Sequence, residues 1–116
     1  MTTLICYRKC STCKGVESTL QEKGMPYTYR EIDTHNPTAE ELKAWHQKSG
    51  LPLRRFFNTS GIKYREQELS KKLPDMPEEA QYALLATDGM LVKRPIVLEN
   101  GRVHVGRDAV KWAQGL

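Results

Sequence analysis

The chain has 116 residues, 39% of them hydrophobic and 28% charged, a length that suits one compact domain able to bury a core without disulfide staples. No apolar run approaches a membrane span, and the N-terminal MTTLIC lacks the basic stretch and apolar core of a secretory leader, so a cytoplasmic protein with no membrane partner is expected. The formal charge of +4 favours anions in general, but Lys and Arg alternate with Glu, as in YREQELSKK, which reads as a solvated mixed-charge surface with no direct nucleic-acid binding.

Leu4, Ile5 and Cys6 form a short apolar run that predicts a strand. From Ser11 to Gly24, Cys13, Val16 and Leu20 recur at helical spacing, with Gly24 and Pro26 as a stop. YTYREI has the β-branched and aromatic content of a second strand, so the first third of the chain reads as a parallel β-α-β unit. After Asn36-Pro37, Thr38 and Glu41 have the spacing of a reciprocal helix cap, and Leu42, Trp45 and Ser49 mark one helical face up to Gly50. Residues 51–89 alternate Pro and Gly stops with short helical patterns, including Pro77 near one helix start and Gly89 past its end.

PIVLENGRVHV then sets Asn100-Gly101 between two alternating runs, a strong hairpin signal because both turn residues must tolerate positive φ. The alternation Val103-His104-Val105 points His104 to solvent. Ala109, Trp112, Ala113 and Leu116 make the apolar face of a last helix, with Trp112 and Trp45 read as core. The sum is β-α-β, a helical middle, and β-β-α, one sheet covered by helices.

All three cysteines lie in CYRKCSTCKG. In a reducing compartment a close pair points to catalysis, redox sensing or metal rather than a permanent staple. Zinc needs four ligands, and His35, His46 and His104 stand singly and far off, so no metal site is expected. Cys6 sits in the apolar strand and reads as a small core hydrophobe. Cys10-x-x-Cys13 falls between strand and helix, where free backbone N–H groups and the nearby Arg8, Lys9 and Lys14 favour a thiolate. Cys10 is therefore the expected low-pKa nucleophile, and Cys13, one turn in and shielded, the resolving thiol.

CSTCKG after a strand, FFNTSGIKYREQEL, and LLATDGMLVKRPIVLENGRVHVG together resemble the ArsC-type arsenate reductase family, in its Spx-like and YffB-like branch. C-x-x-C alone is a weak signal; its combination with a distant KRPIV, a hairpin and a Gly carries the resemblance. The resemblance implies an α/β, thioredoxin-like mixed sheet in a single domain over residues 1–116, with a helical insert at about 37–89. It implies that Pro95 is cis and faces Cys10, presenting the backbone of Arg94 and Ile96 to a bound thiol or oxyanion. It also assigns Cys10 the attack on arsenate, with Arg94 and Arg107 among the arginines that hold the oxyanion. A third such position, before Thr59, holds Asn58, whose neutral amide lacks the fixed charge and paired donors of a guanidinium.

The function so implied is a cytosolic thiol-disulfide oxidoreductase acting on a small oxyanion, arsenate among them, or on a disulfide substrate. It would have no bound cofactor and would draw electrons from an external thiol donor, namely glutathione, glutaredoxin or thioredoxin. The alternative is a redox-sensing regulator like Spx, whose C-x-x-C switch governs binding to RNA polymerase.

Overall fold

In the computed structural model, which describes residues 1–116, the first apolar run forms β1 (Thr2–Cys6). It lies between β2 (Thr28–Glu31) and β3 (Ile96–Glu99), with β4 (Arg102–Val105) at the edge. β1 and β2 are parallel, with Cys6 opposite Glu31, and the β1–β3 and β3–β4 pairs are antiparallel. A parallel pair needs a crossover, which α1 (Ser11–Glu22) supplies. Asn100 and Gly101 adopt φ of 48° and 79°, the left-handed geometry that the hairpin turn demands.

Successive residues of β1 point to opposite faces. Leu4 and Cys6 join Cys13, Val16 and Leu20 of α1 and Ala109 and Ala113 of α6 (Arg107–Gln114) in one buried cluster. Lys23, just beyond α1, donates from Nζ to the carbonyl oxygens of Ala113, Gln114 and Leu116, so an ammonium closes the negative end of α6. Ile5 and Ile96 face the other way, into a larger core that includes Trp45, Phe56, Phe57 and Tyr82.

That second layer is the helical middle: α2 (Ala39–Ser49), α3 (Ile62–Glu66), α4 (Leu69–Lys72) and α5 (Glu78–Ala86), with 3-10 turns at Leu53–Phe56, Leu73–Asp75 and Gly89–Leu91. The predicted cap of α2 forms, with Glu41 N–H donating to Thr38 Oγ1 (3.1 Å) and Thr38 N–H to Glu41 Oε1 (3.0 Å). Glu41 also accepts both arms of the Arg30 guanidinium, at 2.7 and 2.9 Å, and Arg30 reaches the carbonyl oxygens of His35 and Asn36. This bidentate pair, first among the causes, holds the Glu41 carboxyl at about 2.

Three expectations change. Gly89 does not serve as a left-handed helix stop; a Cβ there would lie 2.0 Å from the Ile32 carbonyl oxygen, so the residue is required by a close approach of β2's exit to the 89–91 turn. His104 is half-buried and turned inward: its partner across the hairpin is Val97, which belongs to the α1/α6 side, and that register puts the imidazole against Trp112 (stacked, 5.3 Å) and 3.2 Å from buried Glu99. Trp112 is half-buried at the edge of the core, packed against the α1/α6 cluster and stacked on His104, and Leu116 lies beyond the helix and is 47% exposed.

Candidate thiol site

Directly after β1 the chain turns tightly: Cys10 N–H donates to Tyr7 O and Lys14 N–H to Cys10 O, both at 3.0 Å. This makes Cys10 the extended N-cap of α1 (φ −91°, ψ 120°). No side chain caps the helix, so the N–H groups of its first turn are left for an anion at the Cys10 end. All three cysteines are free thiols; Cys10 is half-buried, Cys13 is 1% exposed and Cys6 fully buried.

The Cys13 sulfur accepts a hydrogen bond from the Tyr7 N–H at 3.4 Å, with the Cys6 and Cys10 thiols and the Arg94 charge as further influences on it. The neighbouring Cys6 thiol is the largest influence; with the others it outweighs burial and brings the Cys13 thiol down to about 7. The same pairing, together with the apolar core, pushes Cys6 far up from the ordinary thiol range. Cys6 is thus in the core as its sequence suggests, yet it also influences the thiol that is drawn down, and that thiol is Cys13.

The Arg94–Pro95 peptide is cis, and the buried Pro95 accepts from Gly106 N–H at 2.8 Å. The Arg94 guanidinium lies 5.0 Å over the Tyr7 ring, and its Nε is buried with no acceptor. An unsatisfied buried donor beside thiols is a feature that a bound anion would complete. The structure therefore brings Arg94 to the cysteines. Asn58 instead uses its N–H on Leu91 O (2.8 Å) and its amide on Met90 O (3.4 Å), holding the 89–91 turn. Arg107 is exposed at the start of α6, where it lines a cavity with Arg55, Lys93 and Lys111 that no cysteine lines.

Sequence reasoning passed over Tyr7 and the active part of Cys6. Tyr7 matters through its backbone N–H and its ring face, neither of which leaves a periodic signal. Cys6 is recognisable only once β1 is seen to turn its even-numbered side chains toward α1.

The ArsC family model matches residues 6–114. The uncharacterised protein YusI of Bacillus subtilis is 49% identical over 100 residues, spanning 86% of this chain and 85% of its own. The global transcriptional regulator Spx of Staphylococcus aureus is 29% identical over 106 residues, spanning 91% and 79%. Among solved structures, an ArsC-family-related protein from Bacteroides fragilis superposes with a TM-score of 0.91 at 51% identity, over 97% of this chain and 95% of the other. An arsenate reductase from Vibrio cholerae superposes with a TM-score of 0.87 at 26% identity, over 99% and 97%.

Proposed function

The chain belongs to the ArsC family and has its thioredoxin-like α/β fold, and from that premise we propose that it is a cytoplasmic thiol-disulfide oxidoreductase with Cys10 as nucleophile and Cys13 as resolving thiol. The observation that carries this reading is the placement of half-exposed Cys10 at the uncapped N-terminus of α1, one helical turn from the buried Cys13 sulfur that accepts the Tyr7 N–H.

In the first half-reaction the Cys10 sulfur attacks the oxidised centre of the substrate and forms a covalent adduct, expelling an oxygen or thiol leaving group. The Arg94 charge and the open N–H groups of α1 stabilise negative charge there. In the second, the Cys13 thiolate attacks the Cys10 sulfur, the Cys10–Cys13 disulfide forms, and the reduced substrate leaves with the electron pair. An external thiol donor, glutathione, glutaredoxin or thioredoxin, then reduces the disulfide. The second step needs the Cys13 thiolate, so its rate falls as pH drops through about 7.

Arsenate is the narrower substrate assignment; it rests on Cys10, Arg94 and Arg107 beside Pro95, while Asn58, a neutral amide spent on the 89–91 turn, counts against it. Trapping tests the general mechanism: Cys13→Ser should accumulate an adduct on Cys10 visible by intact mass, and wild type should pass to a Cys10–Cys13 disulfide. Failure of wild type to form that disulfide with any oxidised substrate overturns the mechanism. Absence of arsenite with all three donors removes arsenate alone.

A second reading follows from the 29% identity to a transcriptional regulator together with the family resemblance, which implies a C-x-x-C switch: a redox-responsive protein that binds RNA polymerase. Pull-downs with reduced and oxidised protein discriminate, because equal or absent polymerase capture in both states eliminates it.

A further inference from the structure

Four cationic side chains, Arg55, Lys93, Arg107 and Lys111, line one cavity of about 420 Å³ beside the start of α6, and Asp108 is its only acidic residue. Arg55 is paired with Asp108 at 3.2 Å, but both are substantially exposed, and such pairs exchange readily for other partners. Lys93, Arg107 and Lys111 make no ion pair at all. Gathering like charges around a concave surface is unfavourable unless an anion answers them, and a concave wall concentrates their field.

The cavity is also built rather than incidental. The Lys93 stem packs on Gly106, where an added Cβ would meet Lys93 Cε at 3.0 Å, and the Lys93 N–H is held by Phe56 O at 2.8 Å. The backbone of Lys93 is thereby fixed to the 53–56 turn, and its side chain to the loop between β4 and α6. Val105 is the one apolar lining residue, so there is no platform for an aromatic base. The volume lies in the range of small-molecule sites, while the lining suits charge alone.

We propose that this cavity is a binding site for a compact polyanion of the diphosphate or triphosphate kind, separate from the thiol chemistry. Neither Arg94 nor any cysteine lines it. Arg107 also figures in the oxyanion reading, so the test rests on Lys93 and Lys111.

Calorimetric titration with pyrophosphate and with tripolyphosphate, in about 150 mM salt so that diffuse attraction is screened, should give saturable binding with Kd below about 1 mM. Inorganic phosphate should bind more weakly, and the amide resonances of Lys93 and of residues 106–111 should shift on adding polyanion. Lys111→Glu and Lys93→Met should each weaken binding about ten-fold or more, with thermal melts confirming that both fold. Lys48→Glu, at an exposed cation on α2, and Cys10→Ser should bind as wild type, which keeps this result independent of the thiol mechanism. The proposal is overturned if wild type shows no saturation, if Lys111→Glu and Lys93→Met bind normally, or if Lys48→Glu loses as much as Lys111→Glu.

Discussion

On one face of the sheet Leu4, Cys6 and Val97 meet Cys13, Val16, Ala109 and Ala113; on the other Ile5 and Ile96 meet Trp45, Phe56, Phe57 and Tyr82. The first layer mixes two leucines with small side chains and has no buried aromatic ring, and around Cys13 it lets the sulfur approach the Tyr7 N–H. The second is made of large ones, which bury more apolar area per residue and contribute correspondingly more stability. Chemistry and bulk stability are thus divided between the two faces, and β1 connects them by strict alternation. The division explains how Cys13 can be both buried and drawn down to about 7: the Cys6 thiol, the Tyr7 N–H and the Arg94 charge favour its charged form against burial.

The largest effect should come from the bulky face. Phe56→Ala removes a fully buried ring and should destabilise the protein by about 3–5 kcal/mol in denaturant unfolding. The Cys13 titration of the folded fraction should stay near 7; a shift there would show that the two faces are coupled.

A smaller effect tests the thiol face. In a Cys10→Ser background, which leaves Cys6 and Cys13 as the remaining thiols, Cys6→Ala removes the leading influence on Cys13. Its titration, followed by thiolate absorbance, should rise toward the free-thiol value of about 8.5, lowering the thiolate fraction at pH 7 about ten-fold. A midpoint unmoved from 7 would reduce Cys6 to a core hydrophobe.

The smallest effect lies at the junction of β2 and α2. Glu41 is held below its unfolded value, so its contribution is complete above about 4.5 and is lost as pH falls toward 2. Glu41→Gln should cost about 1 kcal/mol at pH 7, and the gap to wild type should close on acidification. Equal acid sensitivity of the two proteins would place the acid-labile pair elsewhere.

Local signals were sufficient wherever a structural feature depends on neighbours in the chain. The Thr38–Glu41 cap, the Asn100-Gly101 turn, the Cys13-Val16-Leu20 stripe and the run of short helices at 51–89 are all legible, because each is a matter of dihedral preference, short-range hydrogen bonding or helical period. The C-x-x-C at a strand-to-helix junction was legible for the same reason, and the resemblance carried by KRPIV supplied the cis Pro95 that composition could not.

What the sequence left undecided depends on atoms far apart in the chain. Gly89 is set by the Ile32 carbonyl, His104 by Trp112 and a register partner, and Asn58 by the 89–91 turn. The thiols behave in the same way: the sequence pointed to Cys10, at the start of the helix, as the low-pKa thiol, whereas the tertiary structure, by packing β1 under α1, directs the Tyr7 N–H to the Cys13 sulfur and brings the Arg94 charge near it. Hydrogen-bond donation and desolvation act over a few ångströms in space, and only the folded chain sets those distances.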